Sequence, residues 1–134
     1  MEERRFARRA RLETLFEFVD AFVARHGVHA DAAFDLRLAL EELFTNSVKY
    51  HPESREDILV RLEKDGPWVR MTLQDFDVLD WDVTRAPPPD VDAPIQTREP
   101  GGLGIHLVRH ITDSFEYRHR DRSSTIVVTK RVER

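Results

Sequence analysis

The chain has 134 residues, of which 34% are charged and 40% are hydrophobic, and its formal net charge is -4. This length suits one domain with a single core, and the composition is that of a folded globular protein. No run approaches the roughly 18 consecutive apolar residues of a membrane-spanning helix. A net-negative chain is also a poor partner for nucleic acid. The absence of cysteine excludes disulfides, thiol nucleophiles and cysteine-bound zinc. Because the N-terminal segment has no apolar signal core, we expect a cytoplasmic protein.

The first half of the chain opens with basic residues and continues with two helical patterns. Residues 4–11 contain five arginines, and we expect a solvated start of a strand or helix there rather than a nucleic-acid arm. Apolar residues then recur at helical spacing over residues 12–23, and Gly27 ends this helix. A second helix is predicted from about Asp31, its expected N-cap, to about Tyr50.

The period then changes from that of a helix to that of a strand. Apolar and polar residues alternate over residues 58–62 and again over residues 69–73, with an Asp65-Gly66 turn between them. This pattern predicts a β-hairpin. Residues 76–100 follow with five of the seven prolines and little apolar periodicity. A loop of that length inside a small domain is usually functional or disordered.

The last third of the chain returns to regular elements. A third helix is predicted from the glycines at 101–104 to about Thr112, and closing strands are predicted over residues 115–117 and 124–132. The order of elements predicts an α/β two-layer sandwich of the α+β kind. In that architecture the helices cover one face of a mostly antiparallel sheet.

Glu42 and Asn46 are four residues apart on the second predicted helix and therefore share one of its faces. A carboxylate in that place can act as a general base, and a carboxamide oxygen is a neutral ligand for a hard cation such as Mg²⁺. On spacing alone, the simpler interpretation is an ordinary polar pair on an exposed helix face.

Two further signals follow along the chain, and each has a simple alternative. Asp75 ends the second hairpin strand, where a carboxylate can accept a hydrogen bond from the exocyclic amine of adenine and would repel the oxygen of guanine. When Asp75 is taken alone, an ordinary turn-initiating Asp is the simpler interpretation. Gly101, Gly102 and Gly104 precede a helix, where backbone N–H groups can approach an anion. A plain turn from loop to helix is the alternative.

The three signals occur in one order: E-x-x-x-N on a helix, Asp after a strand, and GGLG before a helix. This order resembles the ATP-binding domain shared by gyrase, histidine kinases and the bacterial anti-sigma-factor serine kinases. The segment LALEELFTNSVKY is similar to the N box of that family, and GGLGIHLVRHITDSFEYR is similar to its glycine box in the short form of the anti-sigma-factor kinases. The closing strand with Thr125 is similar to the family's last element, where a Thr often lies near the phosphates. The resemblance covers almost the whole chain and implies a single domain over residues 1–134.

What the resemblance implies is a Bergerat fold, with a mixed, mostly antiparallel sheet and ATP held between helices and a lid formed by residues 76–100. By this analogy Asn46 binds Mg²⁺, Glu42 is the catalytic base and Asp75 reads adenine. The residues expected near the phosphates are Gly102, Leu103, Gly104 and Thr125. The implied function is to bind a sigma factor and to phosphorylate a serine of a STAS-type anti-anti-sigma protein, as a homodimer, without direct contact to nucleic acid or membrane.

The adenine box of this chain departs from the family's pattern. The family usually has Asp-x-Gly-x-Gly, or Asp-x-Gly followed by a small or proline-rich stretch. In this chain residues 75–82 contain no glycine, and Asp77 stands in the place of the first one. If that glycine allows close approach to adenine, a side chain at position 77 narrows the base pocket. This departure favours an alternative hypothesis, a binding module that sequesters a protein partner without phosphoryl transfer. Retention of Glu42 favours the kinase, because a pure binder needs no base.

Overall fold

Five strands and three helices make up residues 1–80 and 102–133, which are the residues that the computed structural model describes. In chain order the elements are β1 (Glu2–Phe6), α1 (Leu12–His26), α2 (Ala30–Tyr50), β2 (Ile58–Asp65), β3 (Trp68–Phe76), α3 (Gly102–Ile111), β4 (Ser114–Arg120) and β5 (Ser123–Arg131). The strands form one sheet in the order β1-β2-β3-β5-β4, and all four pairings are antiparallel. The predicted α+β sandwich is confirmed. The expected lid over residues 76–100 lies outside the described residues from position 81 onward.

The ends of the two long helices are set by local chemistry. Gly27 adopts the left-handed conformation, with φ 64°, and its N–H donates to the carbonyl of Val23, so that α1 ends where the sequence predicts. Helix α2 begins one residue before Asp31. Its N-cap is His29, whose Nδ1 accepts the N–H of Ala32 at 3.3 Å. Asp31 instead lies in the first turn, where its carboxylate complements the helix dipole.

The arginine-rich opening is an edge strand. Strand β1 pairs with β2 from Glu2 opposite Leu62 to Phe6 opposite Ile58. Phe6 is buried and contacts the rings of Phe18 and Phe44 edge-on. The strand is thus joined to both long helices by one aromatic side chain, although most of its other residues are polar.

Strict alternation places one face of β3 against the helices. Val69, Met71 and Leu73 are buried in the core, and Asp75 continues the same face as the next inward position. The register pairs Leu73 with Ile126 and Asp75 with Ser124 on β5. The carboxylate of Asp75 therefore lies on the inner face of the sheet, at the end of β3. None of the helices in the described part of the chain is long and apolar enough to cross a membrane.

Candidate functional site

A pocket lies between α2, α3 and the end of the sheet where β3 finishes. Its lining residues are Leu43, Asn46, Ser47, His51, Leu73, Asp75, Ile105, Tyr117, Ser124 and Ile126. Apolar side chains from α2, from α3 and from the sheet form its walls, and a few polar groups converge in it. The walls of small-molecule sites have this kind of lining, in which the polar groups fix the orientation of the ligand.

Helix α2 supplies Asn46 to the pocket, and Glu42 lies one turn earlier on the same helix. Asn46 is buried, and its Nδ2 has no hydrogen-bond partner among the described residues. Partial burial raises the pKa of the Glu42 carboxyl, and the adjacent Glu41 carboxylate raises it further. Glu42 is therefore a better proton acceptor than an exposed glutamate.

Helix α3 approaches these two side chains very closely at Gly104. A Cβ atom at position 104 would lie 2.2 Å from Oε2 of Glu42 and 3.6 Å from Nδ2 of Asn46. Only a residue without a side chain lets α3 pass while Glu42 keeps this conformation. Because α3 begins at Gly102, the backbone N–H groups of Gly102, Leu103 and Gly104 belong to its first turn, where N–H groups have no acceptor within the helix. Gly101 lies outside the described residues.

Asp75 is the most unusual polar group of the pocket. It is 3% exposed, and its Oδ1 accepts a hydrogen bond from Nη2 of Arg8. Its Oδ2 is buried and has no hydrogen-bond partner within the described residues. Burial raises the pKa of the Asp75 carboxyl, whereas Arg8, His51 and the Ser47 hydroxyl act in the opposite direction.

His51 joins the pocket to the segment that follows β3. The residue is buried at the C-terminal end of α2, with its Nδ1 3.1 Å from Oε2 of Glu53. The same oxygen of Glu53 accepts the backbone N–H of Leu79 at 3.0 Å. No sequence pattern distinguishes His51, because a histidine before Pro52 is typical of an ordinary helix end.

Strand β5 presents Ser124 to the pocket and Thr125 to the other face of the sheet. Ser124 is opposite Asp75 in the register, whereas Thr125 is opposite Gln74. Ser124 is buried and lines the pocket, and Thr125 does not line it. The structure therefore brings Asn46, Asp75 and Gly104 together with Glu42, and it does not bring Thr125 to them.

Asp77 lies outside the pocket rather than narrowing it. Its backbone is left-handed, with φ 56°, which is the conformation that a glycine would adopt most easily. Its Oδ1 accepts from Nε of Arg122 at 2.9 Å and lies 2.8 Å from Nη2 of the same guanidinium. The turn is closed by the N–H of Val78, which donates to the carbonyl of Arg122 at 2.9 Å. The side chain that replaces the family's glycine is thus directed to a surface ion pair.

Residues 6–130 match the family model HATPase_c_2, the histidine kinase-like ATPase domain. The chain belongs to this family. No curated protein is similar enough to the chain to count as a match.

Two solved structures resemble the fold of this histidine kinase-like ATPase domain. The structure of the RsbU and RsbW domains of Rv1364c from Mycobacterium tuberculosis superimposes with a TM-score of 0.71 at 14% identity, over 98% of this chain and 31% of that one. The Acinetobacter baumannii histidine kinase AdeS superimposes with a TM-score of 0.58 at 12% identity, over 100% of this chain and 69% of that one. The chain therefore spans about a third of the length of the first structure, and at these identities the likeness concerns the fold.

The unpartnered oxygen of Asp75 fits the nucleotide that the family implies. Oδ2 of Asp75 is an acceptor without a donor, and the exocyclic amine of adenine is a donor. A buried polar atom without a partner is costly, so a ligand that supplies the missing hydrogen bond stabilises the site. The carboxamide of Asn46 has the chemistry for a hard cation such as Mg²⁺, since amide oxygens are among its usual ligands.

The left-handed backbone at Asp77 can be tested by comparing Asp77→Gly with Asp77→Ala. Both variants lose the ion pair with Arg122, but only glycine adopts a positive φ without strain. We expect Asp77→Gly to be more stable than Asp77→Ala by about 1 kcal/mol, measured by urea unfolding. Equal stabilities of the two variants would contradict a left-handed backbone at this position.

The close approach of α3 can be tested with Gly104→Ala. The added methyl group would meet the Glu42 carboxylate and displace it. Alanine also favours a helix over glycine by roughly 0.8–1 kcal/mol, so we expect the variant to stay folded with a stability close to that of the wild type. Crystallography of the variant should show the Glu42 side chain in another rotamer. An unmoved Glu42 would mean that α3 itself shifts to make room.

Proposed function

We propose that this histidine kinase-like ATPase domain is an ATP-dependent protein serine kinase of the anti-sigma-factor type. It binds Mg²⁺-ATP in the pocket between α2 and α3 and transfers the γ-phosphate to a serine of a STAS-type anti-anti-sigma protein. It also binds a sigma factor. The observation that carries the proposal is the buried Asp75, whose free oxygen shares one pocket with Asn46 beside the Glu42–Gly104 contact.

Asp75 supports the choice of adenine as the base. An ionised carboxylate can only accept hydrogen bonds, and adenine presents an amine where guanine presents an oxygen. Guanine would therefore leave the buried Oδ2 of Asp75 facing a second acceptor. Such a mismatch costs about 1–3 kcal/mol, which favours ATP over GTP by at least several-fold.

The N-terminal turn of α3 supports the placement of the phosphates. Its first N–H groups, at Gly102, Leu103 and Gly104, lie at the positive end of a helix dipole, which attracts anions. Asn46 lies beside this turn, 3.6 Å from the position of a Cβ on Gly104. When bound, Mg²⁺ would neutralise phosphate charge, and the Asn46 carboxamide would hold the ion without adding charge of its own.

Glu42 is the proposed base for the serine hydroxyl. During transfer the serine oxygen forms a bond to the γ-phosphorus, the bond from that phosphorus to the β,γ-bridging oxygen breaks, and ADP leaves. The serine proton passes to a carboxylate oxygen of Glu42. The raised pKa that burial gives Glu42 suits this role, although positioning and charge stabilisation carry most of the rate in phosphoryl transfer.

The proposed partners rest on the family resemblance. The N box and the short glycine box of this chain are similar to those of anti-sigma-factor kinases. The fold of the chain resembles that of a protein with an RsbW domain. A mildly acidic chain with net charge -4 agrees with partners that are proteins rather than nucleic acids. We further propose a homodimer that works in the cytoplasm.

The first test is the binding of Mg²⁺-ATP and its dependence on Asn46. Calorimetric titration should give saturable binding to the wild type and markedly weaker binding to Asn46→Ala, because alanine removes the proposed ligand of the ion. Glu17→Ala, an exposed change on α1, is the control and should bind like the wild type. No binding to the folded wild type would reject the kinase and favour a module that sequesters a protein partner.

The second test separates the base from nucleotide binding. Glu42→Gln keeps the shape of the side chain but cannot accept the proton, so transfer of labelled phosphate from ATP to a STAS-type protein encoded nearby should slow strongly. The affinity for ATP should stay within a few-fold of the wild type. Glu41→Gln, the neighbouring carboxylate on the same helix, is the matched control and should transfer phosphate nearly normally. Equal turnover of the two variants would remove Glu42 from the mechanism.

A further inference from the structure

Arg8 connects Asp75 to two other parts of the protein. It lies in the segment between β1 and α1, and its Nη2 donates to Oδ1 of Asp75. Its Nη1 donates to the carbonyl of Ser47 on α2 at 3.4 Å, and its Nε donates to the carbonyl of Glu56 before β2 at 3.0 Å. The three donors of one guanidinium thus hold three different segments, which a lysine with one nitrogen cannot imitate.

The guanidinium reaches Asp75 from outside the pocket. The side chain of Arg8 is 14% exposed and that of Asp75 is 4% exposed, so this is a largely buried ion pair. Arg8 does not line the pocket, whereas Asp75 does. The two oxygens of the carboxylate are therefore divided: Oδ1 is occupied by Arg8, and Oδ2 is left without a partner among the residues described.

We propose that Arg8 is a positioning residue for base recognition. By holding Oδ1 it fixes the Asp75 carboxylate so that Oδ2 faces the pocket as an acceptor, and in this way it sets the preference for adenine over guanine. This inference rests on the proposed binding of ATP.

The charges around Asp75 explain why a positioning cation matters. Burial alone raises the pKa of this carboxyl, and a protonated Asp75 could donate to the guanine oxygen as well as accept from the adenine amine. Arg8 opposes that rise most strongly, followed by His51 at the end of α2. Tyr117 of β4 also lines the pocket, and its hydroxyl donates to Oδ1 of Asp80 at 2.6 Å. Arg8 therefore favours the ionised form of Asp75, which can only accept hydrogen bonds.

The test compares the affinities for ATP and GTP, measured by calorimetry, in the wild type and in two variants of Arg8. In Arg8→Met we expect the ratio of the GTP and ATP dissociation constants to fall at least several-fold. Arg8→Lys keeps the charge but not the three contacts, and its ratio should fall by a smaller factor. Arg61→Met removes another arginine–carboxylate pair, with Glu3 at 2.7 Å on the sheet, and is the control with an unchanged ratio.

If the role of Arg8 were merely structural, its replacement would weaken the binding of ATP and of GTP by the same factor. An unchanged ratio in either Arg8 variant, with ATP binding to the wild type intact, would overturn the role of Arg8 and leave the proposed function standing. Failure of the wild type to bind either nucleotide would overturn the proposed function, and this inference with it.

A second readout needs no nucleotide. Arg8→Met, Asp75→Asn and the double variant form a cycle whose urea midpoints report the coupling of the two side chains. We expect Arg8→Met to lower the midpoint less in the Asp75→Asn background than in the wild type, because the buried carboxylate that needs Arg8 is then absent. Equal shifts in both backgrounds would show that Arg8 does not act through Asp75.

Discussion

The buried ion pair between Arg8 and Asp75 is the interaction that ties the pocket to the rest of the fold. Breaking a buried pair by removal of one partner typically costs about 3–5 kcal/mol, yet replacement of both charges by apolar groups is often neutral or stabilising. Stability therefore does not explain why a charged pair stands at the end of β3. The proposed role in base recognition does explain it, because Arg8 occupies one carboxylate oxygen and the other is without a partner among the described residues.

A second constraint is the spacing between α2 and α3. Gly104 brings the α3 backbone so close to Glu42 that no side chain fits between them in the observed conformation. The first turn of α3 is thereby placed beside Asn46, and Ile105 of the next turn is buried in the core. The same residue thus serves packing and the site: the glycine lets the helix dock, and docking carries the free N–H groups of the helix terminus to the polar side chains of α2.

The sequence predicts the periodic elements of this fold and the order of its motifs. It does not predict the features that depend on which residues pair across the sheet. Helix α1 ends at Gly27 as predicted, because the left-handed C-cap is a local signal. For β1 the sequence does not distinguish a strand from a helix, because its polar residues carry little periodicity and Phe6 is its one buried apolar side chain. Ser124 lines the pocket and Thr125 does not, because neighbouring residues of a strand face opposite sides and the register with β3 places Ser124 opposite Asp75.

Arg8 had no sequence signal of its own for a related reason. It is one of five arginines in residues 4–11, and only the fold brings it to Asp75, 67 positions further along the chain. The sequence likewise does not predict the direction of the Asp77 side chain. The backbone at this residue has φ 56° and turns the side chain toward Arg122 instead of into the pocket. Both cases are long-range electrostatic pairings, which composition and spacing do not encode.

The two carboxylates of the site differ in their surroundings in a way that agrees with the roles proposed for them. Burial raises the pKa of both, but Asp75 has a guanidinium on one oxygen, whereas none of the described cations lies within ion-pair distance of Glu42. A cation beside a carboxylate favours the ionised form and opposes the uptake of a proton, which suits a group that must remain an acceptor. A carboxylate near another acid and partly removed from water takes up a proton more readily, which suits a base. The guanidinium on Asp75 and the absence of one beside Glu42 among the described residues thus agree with the proposal that Asp75 reads the base and Glu42 accepts the proton.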